Sequence, residues 1–463
     1  MLFHSQVFIF LFAPLAITLY WLLPKRLRLG WLALASYFFY GWWDWRFCFV
    51  MLLTTFVDFI CGQKIGAATS ARARKGWLAL SLLVDLGLLG FFKYAAFTAG
   101  TVNALLEAAG GAPRLPLLEI VLPVGISFYT FQSLSYTIDV YNGRVKPTRS
   151  FIHYMAFVSL FPQLVAGPIV RYKQLGGQLL SLPERLTSRN LSLGLTFFAA
   201  GLVKKVLIAD RLAYFTDQLW LDWRHLLPAE AWSAALGFSL QLYFDFAGYS
   251  LMAIGLGYLL GLSLPQNFNS PYRASDVADF WRRWHISLST WLRDYLFLRI
   301  GGLTVRGRWP ALVLTMLLTG LWHGAAWTFV LWGGYHGLLL LVHHGLRHFG
   351  IKWRGGWTGS FGTLLLVILG WVLFRAETLP SAMHVLKSML SLGGLGLGGA
   401  VAPAFIAIIV LALLWAIFAP NLYELIHVRQ AQPRTWALAC LGVLAAVCVM
   451  LASESGPFLY YQF

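Results

Sequence analysis

Acidic residues are scarce in this 463-residue chain, with 18 Asp and Glu against 35 Lys and Arg, and charged residues of both signs make up only 11% of it. With 59% of its residues hydrophobic and a mean hydropathy of +0.69, the chain has more apolar surface than one soluble core could bury. Lipid must be the solvent. Cysteine is almost missing too. Cys48, Cys61, Cys440 and Cys448 all lie inside apolar segments without metal-type spacing, so they read as small core residues and not as disulfide partners. There is no His-Glu-x-x-His, no paired Cys-x-x-Cys, no Gly-x-Ser-x-Gly elbow, no Walker phosphate loop and no dinucleotide fingerprint. These absences speak against a metal site, an ordinary serine hydrolase and ATP-driven transport. No repeat of fixed period and no Ser/Pro-rich linker divides the chain, so residues 1–463 read as a single membrane domain.

What is present is a series of apolar stretches, near 7–24, 31–61, 77–98, 117–141, 151–170, 191–208, 231–262, 310–346, 358–374, 402–420 and 434–452. They predict an all-α polytopic membrane protein with roughly ten to twelve transmembrane or re-entrant helices. The first stretch resembles a signal peptide but closes on Pro24-Lys25-Arg26 with no small-residue cleavage site, and is expected to be retained. Basic clusters at Lys25–Arg28, Lys64–Lys75, Arg144–Arg149, Arg171–Lys173 and between 273 and 308 are expected inside. Both termini then fall outside. The net charge of +17 is thereby topology signal and anionic-lipid contact; no basic run is interleaved with a soluble nucleic-acid-binding fold.

Two segments break the pattern. Residues 263–309 carry seven arginines and no lysine, too polar to cross and too aromatic for a loose loop. Within them, Asp279 to Phe297 reads as one amphipathic helix on the cytoplasmic side. Trp281, Trp284, Leu288, Trp291, Leu292 and Tyr295 share one face, Arg282, Arg283, Thr290, Arg293 and Asp294 take the other, and His285 stands at the edge of the apolar arc. Leu160-Phe-Pro-Gln-Leu-Val-Ala-Gly-Pro-Ile is the second, with two prolines and a glycine between basic flanks. Broken backbone at membrane depth must be packed in protein or line a cavity, so a re-entrant segment and a funnel are expected. Gln132, Ser133, Ser135, Tyr136 and Asp139 form a polar stripe on the span after Pro123.

Of eleven histidines, His323 is the one that interrupts an apolar stretch between two glycines, Gly320 and Gly324, which would admit a neighbouring backbone or an acyl chain. His336 reads as core packing, and His343, His344 and His348 as residues of a basic helix end. Lys204, Lys205 and Asp245 are intramembrane charges that either pair as structural ions or line a path for an anionic donor.

At this point the chain resembles the membrane-bound O-acyltransferase family, in its bacterial branch that O-acetylates polysaccharides such as alginate. Asp279-Phe-Trp-Arg-Arg-Trp-His-Ile-Ser-Leu-Ser and Leu321-Trp-His-Gly-Ala-Ala-Trp-Thr-Phe-Val-Leu-Trp-Gly carry the resemblance most specifically. Leu122-Pro-Val-Gly-Ile-Ser-Phe-Tyr, Ala166-Gly-Pro-Ile, Gly201-Leu-Val-Lys-Lys, Phe244-Asp-Phe-Ala-Gly-Tyr-Ser, Asn267-Phe-Asn-Ser-Pro-Tyr and Gly370-Trp-Val-Leu-Phe-Arg-Ala extend it over nearly the whole chain. The resemblance implies helices around a central funnel or tunnel, with His323 as the catalytic residue and His285 at the family's second position. It also implies acetyl-CoA or another acyl carrier as donor, no bound cofactor or metal, the inner membrane as location, and a periplasmic acetyltransferase or acceptor protein as partner. Arg282, Arg283, Arg293, Lys204 and Asp245 are the expected donor-binding residues. Peptidoglycan O-acetylation and teichoic-acid D-alanylation are alternative settings for the same chemistry. A transporter or flippase without acyl chemistry is the alternative of another class; it would show paired broken helices, and only one broken segment is visible.

Overall fold

The computed structural model describes residues 1–165, 167–304, 306–351, 355–391, 401–427, 435–451 and 459. Every regular element among them is a helix, and five helices are long and apolar enough to cross a membrane: Arg46–Ala67, Ala71–Ala108, Ser188–Leu221, Trp357–Arg375 and Pro403–His427. The chain is an all-α polytopic membrane protein. Five is fewer than the apolar stretches suggested, because several of those are broken. Residues 117–141 become helical only at Ile126, after Gly125 in the left-handed region, and 310–346 splits into Arg308–His323 and Trp327–His348.

Two compact units are distinguished. The first contains residues 6–195 and 253–265. In it the re-entrant segment runs as a helix Phe151–Ser159, a break at Leu160 and a single turn Phe161–Leu164, all from Leu160 to Leu164 buried. Protein replaces water as its hydrogen-bond partner: Ser36 Oγ accepts from the amide of Phe161, and Gln163 Nε2 donates to the Phe157 carbonyl at 2.6 Å. A Cβ on Gly125 would stand 2.7 Å from the Leu164 carbonyl oxygen, so the glycine also admits the turn of the broken segment. The polar stripe on Ile126–Tyr141 is likewise buried in protein. Arg28, expected as a topology residue, is itself buried, donating to the carbonyls of Trp21, Leu23, Pro183 and Glu184.

The second unit contains residues 2–5, 196–252 and 266–463. The helix predicted over Asp279–Phe297 is not continuous. Val277–Arg283 ends at Trp284, His285 adopts φ 43° and ψ 55°, and Ile286–Leu292 starts afresh before a π-helical turn Arg293–Gly302. A 100° periodicity cannot see a one-residue reversal that keeps the apolar residues inside on both sides of it. Trp284 and Trp291 are buried as expected and Trp281 is half-buried, while Arg282 and Arg293 face out.

Candidate active site

His323 is the last residue of Arg308–His323, and extended residues at Gly324 and Ala326 turn the chain into Trp327–His348. The two helices pack tightly because Gly320 faces the Phe329 carbonyl and Gly333 faces that of Met316; a Cβ on either would collide with backbone. Of the two occupants the glycines beside His323 could admit, the neighbouring backbone is therefore the one found at Gly320, and at Gly324 the Phe329 ring fills the space. His323 is 3% exposed and sits in a box of rings, 4.9 Å from Trp322, 5.1 Å from Trp332 and 5.2 Å from Phe374 between centroids. Trp371, stacked on Trp332 at 5.6 Å, backs that box.

His285 reaches the same place from the arginine-rich segment. Its ring lies 6.1 Å from Trp322 and 4.7 Å from Phe246, fully buried rather than at the edge of an apolar face. Reversal of the backbone at φ 43° costs about 1–2 kcal/mol in a non-glycine residue, and Asn267 holds it. Asn267 Oδ1 accepts from the Ser287 amide at 3.2 Å, the Ser287 hydroxyl at 2.8 Å and His285 Nδ1 at 3.1 Å, while its Nδ2 donates to Ser250 Oγ at 3.3 Å. The Asn267 carbonyl accepts the Ile286 amide as well. A backbone N–H can only donate, so the atom facing Ser287 is the amide oxygen, and His285 Nδ1 must carry a proton to face it. Nε2 is then the acceptor nitrogen of this ring. Burial lowers the His285 pKa to about 3, and the imidazole is neutral near pH 7.

The expected donor-binding residues are dispersed. Asp279 accepts from Arg283 Nε at 2.9 Å and from Arg282 Nη2 at 3.3 Å; Arg283 also donates to the Asn269 carbonyl, clamping the loop that carries Asn267. Arg282 is 63% exposed. Arg293 pairs with Asp294 at 2.7 Å. Asp245 belongs to a buried ion triad, in which Lys205 Nζ lies 2.8 Å from Asp245 and 2.8 Å from Asp210. Lys205 rather than Lys204 is the partner, and Asp245 also accepts the Leu459 amide. This is the structural pairing of the two alternatives. Lys204 lies instead 6.0 Å over the Tyr243 ring, which packs against Trp284.

Asn267 and Trp322 are the site residues that residue patterns did not single out. Each stood inside a motif that was recognised, but a hydrogen-bond clamp between positions 267 and 287 and a ring shared by two histidines 38 positions apart leave no periodic trace.

A model of the MBOAT, membrane-bound O-acyltransferase family, matches residues 147–350, which include both histidines, Asn267 and the ion triad. The chain is 40% identical over 498 aligned positions to the "Probable alginate O-acetylase AlgI" of Pseudomonas putida, covering all of both proteins. It is 44% identical over 405 positions to the protein of the same name from Pseudomonas aeruginosa, covering 85% of this chain and 75% of that one. The "Peptidoglycan O-acetyltransferase" of Helicobacter pylori is 37% identical over 435 positions, covering 86% and 81%. Identity of this extent, with the two motif histidines gathered around one buried indole, places the chain in the membrane-bound O-acyltransferase family, as an O-acyltransferase of the acetyl-transferring kind.

Proposed function

We propose that this enzyme passes acetyl groups from cytoplasmic acetyl-CoA across the inner membrane for O-acetylation of an extracytoplasmic polysaccharide, alginate or a similar exopolysaccharide. The reading is supported most by one observation, two buried imidazoles on a shared tryptophan inside an aromatic box. The relatives named for alginate O-acetylation supply the substrate class. Both termini lie on the periplasmic side, and a periplasmic acetyltransferase or acceptor protein takes the group onward.

His323 acts as the general base. It removes the proton from an incoming hydroxyl as the oxygen attacks the thioester carbonyl; the tetrahedral intermediate collapses, the C–S bond breaks, and the proton passes from the imidazole to the leaving sulfur. No proton is gained or lost overall. His285, with Nε2 as acceptor, is suited to orienting the donor by accepting a hydrogen bond, for which the amide N–H groups of the pantetheine arm are the natural partners. Arg282 and Arg293, exposed on the same segment, attract the phosphates of the donor.

The test is acetyl-CoA consumption, read as free thiol, by purified protein with its periplasmic partner or an acceptor mimic. His323→Ala should lose about 10²–10⁴-fold in turnover while remaining folded and able to bind donor. Wild-type turnover by a stable His323→Ala protein would overturn the mechanism.

A further inference from the structure

A second concave site lies in the same unit, and neither histidine lines it. It is a cavity of about 630 Å³ walled by Tyr272, Trp357, Phe361, Leu364 and Phe418, with Arg273 as the one charged residue among the described residues of its lining. Trp357 opens the helix Trp357–Arg375 and Phe418 closes the helix Pro403–Phe418, so the cavity lies where one helix begins and another ends. The two rings stand 5.8 Å apart. Trp357, Phe361 and Phe418 are 74%, 71% and 58% exposed, which in a membrane protein means exposed to lipid at the level where aromatic side chains concentrate.

Arg273 is held in place by the end of the second helix, its Nε donating to the Ile417 carbonyl and its Nη2 to that of Ala419. Those are neutral acceptors. Among the described residues no carboxylate pairs with Arg273. Its neighbours Arg282, Arg283 and Arg293 each face an aspartate, whereas Arg273 is held by two backbone carbonyls within an apolar lining. A fixed guanidinium with a planar fork, uncompensated and set at the base of an apolar groove, asks for an anion that carries hydrocarbon. The segment from 273 to 308 is also the most arginine-rich of the basic clusters expected on the cytoplasmic side, where anionic headgroups are found.

We infer that this cavity is a binding site for an anionic phospholipid, with the phosphate on Arg273 and an acyl chain between Trp357, Phe361 and Phe418. The lipid supplies the missing counter-charge and fills the space between the ends of the two helices.

Purified full-length protein, stripped of lipid in detergent, is titrated with phosphatidylglycerol and with phosphatidylcholine of identical chains, and bound lipid is counted by native mass spectrometry. The wild type should bind phosphatidylglycerol about tenfold more tightly, because both lipids carry the phosphate and only in phosphatidylcholine does a choline cation offset its charge beside Arg273. Arg273→Gln should bind the two lipids equally, and Arg273→Lys should keep the preference. Ser360→Trp, which puts a ring into the groove beside Arg273 without touching its charge, should lose both lipids. Ser360→Trp decides the matter if Arg273→Gln proves unstable. Equal binding of the two lipids by the wild type, an undiminished preference in Ser360→Trp, or displacement of phosphatidylglycerol by free coenzyme A would each overturn the assignment, the last by making the cavity part of the donor site.

Discussion

Replacing Asn267 with alanine removes an acceptor of three hydrogen bonds, and the three donors it leaves behind differ in what they can do next. The Ser287 hydroxyl can rotate and the His285 ring can tautomerise, each losing a net bond of about 1 kcal/mol. The Ser287 amide can do neither. It becomes a buried, unsatisfied N–H at about 1–3 kcal/mol, so the whole substitution should destabilise the fold by about 3–5 kcal/mol. Tautomerisation has a second effect, because it converts Nε2 from acceptor to donor and lets the left-handed residue relax out of position. Loss of orientation of that kind should lower acetyl transfer about 10²-fold. Asn267→Asp separates the two effects. A carboxylate keeps the Nδ1–H bond but favours the charged imidazole, so turnover should become pH-dependent between pH 5 and 8 in a way that a merely structural asparagine would not produce. Turnover and melting temperature measured on both variants carry the test. An alanine variant with wild-type values of both, or an aspartate variant with an unaltered pH profile, would refute the positioning role.

Three further outcomes are expected. Lys205→Met leaves Asp210 and Asp245 buried without their cation and should cost about 3–5 kcal/mol in thermal or denaturant unfolding, whereas Lys204→Met loses only a cation–π contact of about 0.5–2 kcal/mol; equal effects would contradict the ion triad. Arg282→Ala combined with Arg293→Ala should weaken coenzyme A binding by about 1.5–3 kcal/mol, and an unchanged dissociation constant would remove both from the donor site. For His285, the folded state resists protonation down to about pH 3 while the unfolded chain takes up a proton below its ordinary 6.5. Its contribution to stability is therefore level above pH 6.5 and falls as pH drops from 6.5 toward 3. Between pH 8 and 5 the wild type should lose more melting temperature than His285→Gln, and parallel curves would show that the imidazole is not buried neutral.

Much of this site could be read in the residues because membranes make polar groups conspicuous. His323 between two glycines and the Pro-broken segment at 160–169 are both visible as violations of an apolar pattern; one stands at a helix end and the other is buried in protein from Leu160 to Leu164. What escaped was anything set by a single backbone reversal or by a tertiary contact. The reversal at His285 leaves the apolar and arginine faces of its segment where a continuous helix would put them, so the periodicity holds although the helix does not. Which of two adjacent lysines meets Asp245 is settled by the π-helical turn Lys204–Ala209, which alters the angle between neighbours. Hydropathy counts apolar length, and the breaks at Gly125 and Gly324 divide that length, so an apolar stretch need not be one long helix.

The aromatic box also bears on why this chemistry belongs inside a membrane protein. A thioester beside a general base is open to hydrolysis, and the competing nucleophile is water at far higher concentration than any acceptor hydroxyl. Trp322, Trp332 and Phe374 surround His323 with rings, and Trp371 backs them. On the proposed mechanism, exclusion of water protects the donor and at the same time strengthens the electrostatic effect of each imaginable partial charge in the pocket. A neutral His285 fits that environment better than a charged one, since a buried imidazolium would need a counter-ion, and the nearest acceptor fixed to it is the amide of Asn267. An asparagine at this position keeps the second histidine uncharged, which an aspartate would not.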